Sequence, residues 1–229
     1  VYGRNILQDF LERIPPELMQ ESGSVFYSGR AAFSKPAPVY LLGVNPGGSP
    51  ASEQEPRIGT HCRSVLYDEN YENWSAYLDL AWGARTEKGG APMQRRIAHL
   101  FQQLGLDLRK TPASNLIFQR SRDVSAIKKD FLKLADRCWP FHQAVIQALR
   151  PKLILCMGKD CSGYVRERLG ADEEIDHFKE DNKRQWLSLA YRNAKDGQII
   201  VSLTHPSWAN WINKTSDPTA LIERLLARV

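Results

Sequence analysis

The chain has 229 residues, 42% of them hydrophobic and 25% charged, an ordinary globular balance that excludes wholesale disorder. Lys and Arg number 31 against 26 Asp and Glu, and the resulting +5 favours an anionic partner without naming one. No apolar run is long enough to span a bilayer. The four cysteines, Cys62, Cys138, Cys156 and Cys161, form no Cys-x-x-Cys pair, which disfavours a zinc ribbon or an iron–sulfur cluster. The opening Val-Tyr-Gly-Arg-Asn does not read as a signal peptide. A reduced, intracellular setting is expected, cytoplasmic if the source is bacterial.

Four short apolar runs, bounded by Pro, Gly, Ser or Asp, are expected to be strands: 39–44, 115–118, 153–157 and 199–203. Their unbroken apolar character suits strands buried on both faces of a parallel sheet. Helical spacing lies between them. Met93, Ile97, Leu100, Phe101 and Leu104 recur on one face, with Gly105 as a stop. Ile127, Phe131 and Leu134 repeat the pattern, and a further helix is expected over 141–149, ending before Pro151. Near the C-terminus, Asp217 is placed to cap a helix with Pro218 at its first position and Leu221, Ile222, Leu225 and Leu226 as its apolar stripe. The alternation predicts one α/β domain over residues 1–229, three layers deep, with a central, mainly parallel four-stranded sheet. Ligands in such sheets bind beyond the carboxyl ends of the strands, which draws attention to the residues there.

Three segments stand at those ends. Gly43-Val44-Asn45-Pro46-Gly47-Gly48-Ser49-Pro50 follows the first strand; its Gly/Pro turn leaves the backbone bare and holds Asn45, although a plain surface turn has the same composition. No Gly-Lys-Ser/Thr follows, so it is not a Walker A loop. Ser114-Asn115-Leu116-Ile117-Phe118 sets a polar Asn against an apolar run. The Asn115 amide offers both a donor and an acceptor, as pyrimidine-edge reading requires, and a turn Asn looks the same in isolation. Leu203-Thr204-His205-Pro206-Ser207-Trp208 follows the last strand. Its His205 has a ring N–H suited to stabilising an anion, and also the position of a structural histidine before a Pro turn.

In this order and at these strand ends, the three segments resemble the uracil-DNA glycosylase superfamily. Gly43-Val44-Asn45-Pro46-Gly47 is similar to its first motif, Asn115 to its mid-chain base-reading Asn, and His205-Pro206-Ser207 to its last motif. Asn45 and His205 are 160 residues apart, so the resemblance spans most of the chain. It is nearest the branches with Asn in the first motif, the single-strand-selective monofunctional and mismatch-specific thymine/uracil types.

The resemblance implies a monofunctional DNA glycosylase that needs no metal or cofactor, acts as a monomer on DNA carrying a modified or damaged base, and flips that base before hydrolysing its bond to the sugar. Asn45 then orients the attacking water, His205 stabilises the departing base and Asn115 selects it. The strictly uracil-specific branch has a Tyr after the motif Pro. Gly47 and Gly48 stand here instead, which implies room at pyrimidine C5 for uracil, hydroxymethyluracil or a bulkier phage base, in repair or in anti-phage defence.

His61 and Tyr67 are the candidates to stack on the flipped base, and Trp208 and Trp211 the candidates to wedge or stack in DNA. Ser49 and Ser207 are candidates for flanking phosphates. Arg120, Arg122, Lys128, Lys129 and Lys214 are the basic candidates, whereas the mixed-sign run 179–184 reads as a solvated face. Cys138 and His142 are four apart, but Pro140 between them argues against a regular helix and a metal pair. The alternatives are a glycosylase-like module that binds modified or single-stranded DNA without cleaving it, and a hydrolase of free nucleosides. A serine hydrolase is weaker, since no Gly-x-Ser-x-Gly elbow occurs.

Overall fold

The computed structural model describes residues 6–52, 56–83 and 85–228. In chain order, α1 (Ile6–Leu11) precedes β1 (Val39–Gly43), α2 (Ile58–Tyr67), α3 (Ala76–Asp79) and α4 (Pro92–Gln103). Next come β2 (Ala113–Asn115), α5 (Phe131–Leu149), β3 (Leu153–Met157) and α6 (Lys159–Leu169). The hairpin β4 (Glu173–Lys179) and β5 (Leu187–Arg192), then β6 (Ile199–Leu203) and α7 (Thr219–Leu226), complete the order.

The sheet has six strands in the order β2-β1-β3-β6-β5-β4, not the four expected. Three of the four apolar runs supply β1, β3 and β6 of a parallel block, β2-β1-β3-β6, whose edge strand β2 meets the fourth run only at Asn115, and β5 and β4 extend the block antiparallel. Every residue of β1 and β3 is buried, as a strand covered on both faces requires. β4 is the charged edge, carrying Glu173, Glu174, Asp176 and Lys179, which discourages pairing with a second sheet.

Helices pack on both faces. On one, Tyr40, Leu42, Ile154, Cys156 and Ile200 join α1, α2, α5 and α6. On the other, Val39, Leu41, Leu155, Met157, Val201 and Leu203 join α4 and α7. Gln94 fixes the start of α4: its Oε1 accepts the Ala91 N–H and its Nε2 donates to the carbonyls of Ala76 and Leu80.

Three boundaries differ from expectation. β2 is 113–115 rather than 115–118, because its ladder with β1 ends at the pair Gly43 and Asn115; Leu116, Ile117 and Phe118 run on into the core. The helix expected over 141–149 begins at Phe131, directly after a 3-10 turn at Val124–Asp130, and runs through Pro140. Pro140 is exposed, so water can take the carbonyl that its missing N–H would have bonded. α7 begins at Thr219, one residue after Pro218, and Asp217 caps it by accepting the Thr219 N–H.

Two buried histidines hold the layers together. His142 on α5 donates from Nε2 to the Leu116 carbonyl (3.1 Å) and accepts the Tyr40 hydroxyl at Nδ1 (2.8 Å). His61 on α2 meets the backbone of Phe26 through Nε2. Burial lowers the pKa of each to about 4, so both are neutral. Unfolding raises them towards the ordinary 6.5, so the unfolded chain takes up protons between those values. Stability therefore falls as pH drops from about 6.5 to 4, by roughly 3 kcal/mol per histidine at most. Urea midpoints measured from pH 8 to 4 are expected to be flat above pH 7 and to decline below 6.5, and His142→Gln is expected to flatten part of the decline.

Candidate functional site

The four parallel strands end on one edge of the sheet. Gly43 pairs with Asn115, and Met157 pairs with Leu203. The pairing of Leu42 with Cys156 sets Gly43 beside Met157. Asn115, Gly43, Met157 and Leu203 thus form one row across β2, β1, β3 and β6. Asn45 and His205 each stand two residues beyond it. β1 and β6 are two strand spacings apart, so those chains leave the sheet roughly 10 Å from each other.

Asn115 is 4% exposed, and its Nδ2 has no hydrogen-bond partner among the described residues. An orphaned buried donor costs about 1–3 kcal/mol, so its retention calls for a reason. The side chain lies flat against β1 only because Gly43 has none: a Cβ there would fall 2.1 Å from Asn115 Oδ1. His142, bonded to the next carbonyl at Leu116, fixes the backbone behind it.

Asn45 is half-buried with its amide orientation settled by its surroundings. Its Nδ2 faces three acceptors: the carbonyls of Pro46 (2.9 Å) and Gln119 (3.2 Å) and Ser121 Oγ (2.8 Å). Ser121 spends its own hydroxyl proton on the Asp123 carbonyl, so its oxygen accepts from Asn45. Asn45 Oδ1 is left with no described partner and is available to accept from water. The same two loops are tied by Ser121 N–H to the Pro46 carbonyl and by Arg120 to the Gly47 carbonyl.

His205 Nδ1 accepts the Ser207 N–H (3.1 Å), and burial pushes its pKa below the ordinary value. The ring is neutral with its proton on Nε2, for which the described residues supply no acceptor. It packs over Gly158, the residue preceding α6, where a Cβ would stand 3.5 Å from His205 Cδ2. The positive end of the α6 dipole there also favours the neutral ring and a nearby anion. From α4, Arg96 secures the turn by donating to the Pro206 carbonyl (2.6 Å), and Ser207 Oγ meets Met93 Sδ.

The remaining candidates separate. Gly47 and Gly48 are exposed; a Cβ at Gly47 would meet nothing within 4 Å, and Gly48 has φ +114°, which favours glycine. Ser49 is half-buried, and Ser207, Arg122, Lys128, Lys129 and Lys214 are exposed. Trp208 is 73% exposed in the His205 turn, whereas Trp211 is wholly buried, with Nε1 on Thr204 Oγ1. Trp211 is therefore a core anchor rather than a wedge. His61 is likewise no stacking ring: it is buried among Phe26, Tyr71 and Trp74. Tyr67 is exposed at the end of α2. Cys138 and His142 share one continuous helix, but both ring nitrogens of His142 are taken.

Among the described residues, no group of three or more His, Cys, Asp or Glu could hold a metal. The cysteines are buried, and burial pushes Cys62 and Cys138 up to about 12, so neither of those two offers a ready thiolate. Two cavities, of about 560 and 530 Å³, lie at the opposite end of the sheet around Glu173, Arg192 and Arg228, and around Arg150 and Gln198. Neither is lined by Asn45, Asn115 or His205. Sequence reasoning missed Ser121, Arg96 and Gly158, because their roles come from long-range contacts that no local spacing encodes. The chain matches no protein-family model and no curated protein.

Gly43→Ala is expected to lower stability by about 1–3 kcal/mol through overpacking. Added to Asn115→Ala, it is expected to cost measurably less than it does alone. Urea denaturation of both single variants and the double variant checks the coupling.

Proposed function

We propose that the chain is a monofunctional DNA glycosylase with a uracil-DNA glycosylase-like, three-layer α/β/α fold. The observation that carries the reading is the buried, unpartnered Asn115 Nδ2, in the same strand-end row that positions Asn45 and His205. A pyrimidine carbonyl fits that orphaned donor.

Breaking an N-glycosidic bond leaves positive charge on the sugar and negative charge on the base. Asn45 Oδ1 accepts a hydrogen bond from the attacking water and holds it in line. An amide is no useful base, so Asn45 contributes positioning, and the developing cation makes the water reactive. His205 donates from Nε2 to the base carbonyl as its oxygen gains charge. A neutral donor suits this step, since it need not surrender its proton to stabilise the anion. Ser121 positions Asn45 by accepting from its Nδ2. No carboxylate among the described residues bonds Asn45 or His205, which agrees with a mechanism led by the leaving group.

Open space at Gly47 favours a substrate with a substituent at C5. The protein would act on hydroxymethyluracil or a larger modified pyrimidine as well as uracil, in repair or in defence against phage. The second reading is a module that binds such DNA without cleaving it.

Oligonucleotides carrying one uracil, thymine mismatch, hydroxymethyluracil, hydroxymethylcytosine or glucosylated hydroxymethylcytosine, single- and double-stranded, separate these readings by alkaline scission after incubation. At least one substrate is expected to be cut. Asn45→Ala and His205→Ala are each expected to slow cutting about 10²–10³-fold, and Ser121→Ala about tenfold, with Ser121→Thr near wild type. Gly47→Tyr is expected to narrow cutting to uracil. Binding without cutting on every substrate would favour the non-catalytic module.

A further inference from the structure

The mixed-charge run read as a solvated face is, in the folded chain, fastened beside the His205 turn. The tip joining β4 to β5 closes with the Glu180 N–H donating to the Trp186 carbonyl. It is then tied to the loop after β6 at three points. Asp181 N–H donates to the Thr215 carbonyl, Asn182 Nδ2 to Ser216 Oγ, and Arg184 to the Trp208 carbonyl (2.6 Å). The Arg184 guanidinium also lies 4.3 Å over the Trp186 ring, and it pairs with the fully buried Glu180 carboxylate. One side chain thus links the ring of Trp186 to the backbone of Trp208.

These two rings contrast with Trp211. Trp211 is buried and anchors the loop, whereas Trp208 is 73% exposed and Trp186 40% exposed. Exposed indole adds little to folding, so two such rings, one under an arginine that also holds the other's backbone, offer a contact surface. Lys183 and Lys214 are exposed beside them; Glu180 is consumed by Arg184, and Asp181 is the exposed carboxylate of the tip. The occupant that matches flat apolar faces under positive charge is a nucleic-acid strand with unstacked bases. A closed duplex offers phosphates but keeps its base faces stacked.

We infer that the β4–β5 tip, through Trp186 and Arg184, forms with Trp208 a stacking platform for single-stranded DNA flanking the target nucleotide. The inference rests on the glycosylase reading for its biological setting but is tested without it.

Fluorescence anisotropy with a 5′-fluorescein 15-mer of thymidine, and with an unmodified 15-base-pair duplex, measures both affinities on the full chain. Trp186→Ala is expected to weaken single-strand binding roughly tenfold or more, Trp186→Phe to keep most of it, and duplex binding to change less than twofold. Thermal midpoints are expected to stay within a few degrees of wild type, because the ring is exposed. Unchanged single-strand affinity in Trp186→Ala overturns the platform, and so does a loss shared equally by the duplex. Since neither probe carries a modified base, the two claims fail separately. Normal, Trp186-dependent binding with no excision on any substrate sinks the glycosylase alone, and excision with Trp186-independent binding sinks the platform alone.

Discussion

The site depends on a missing side chain. Gly43 closes β1 with no Cβ, and Asn115 occupies the space that a Cβ would fill. Without that close approach the Asn115 amide could not lie flush in the strand-end row, buried yet holding an unpartnered donor. A fold that bore such a donor for packing alone would gain by replacing it with an apolar residue of similar size. The proposed base-binding role of Asn115 supplies a reason for keeping it.

Around that contact, each polar group of the site is oriented by groups behind it. The Asn45 amide is turned by three acceptors on two loops, one of them a serine whose own proton is committed elsewhere. The His205 tautomer is set by the Ser207 N–H, and its turn is held by Arg96 on α4. These arrangements stand at the ends of β1 and β6, strands that are buried at every residue but Ser202, where little reorganisation is open to them. Pre-set donors and acceptors of this kind are effective because they need not turn when charge develops.

The buried strands were legible in the sequence because their signals are local, whereas the orienting contacts of Ser121 and Arg96 were not. Unbroken apolar runs such as Leu153–Met157 are read directly as doubly covered strands, and the residues after them stand together at one edge of the sheet. The β4–β5 hairpin was not legible, for a physical reason. In β5 the small Ser188 and Ala190 are buried while Leu187 is exposed, so the usual alternation is inverted; Ser188 faces inward to accept the Thr204 N–H. β4 is an edge of mixed charge whose core-packed apolar residues, Ile175 and Phe178, stand three apart across a register shift, so no period-2 alternation shows. Pro140 misled in the opposite direction: its ring is tolerated because it lies on the wet side of α5, which its sequence context does not disclose. His61 and Trp211 have the chemistry of base-stacking residues but the burial of core residues, and composition cannot tell these apart.

The central claim is that Asn45, Asn115 and His205 form one base-binding site. Side-chain amide and imidazole NMR signals, assigned with Asn45→Asp, Asn115→Asp and His205→Gln, report on it directly. The titrant is a single-stranded oligonucleotide bearing a 2′-fluoro deoxyuridine or its 5-hydroxymethyl analogue, since fluorine at that position opposes the sugar cation and blocks cleavage. The account predicts that all three residues shift together along one saturation curve, with the Asn115 amide protons moving downfield as they gain an acceptor. Saturable binding of both oligonucleotides that leaves the Asn115 amide unmoved would contradict it.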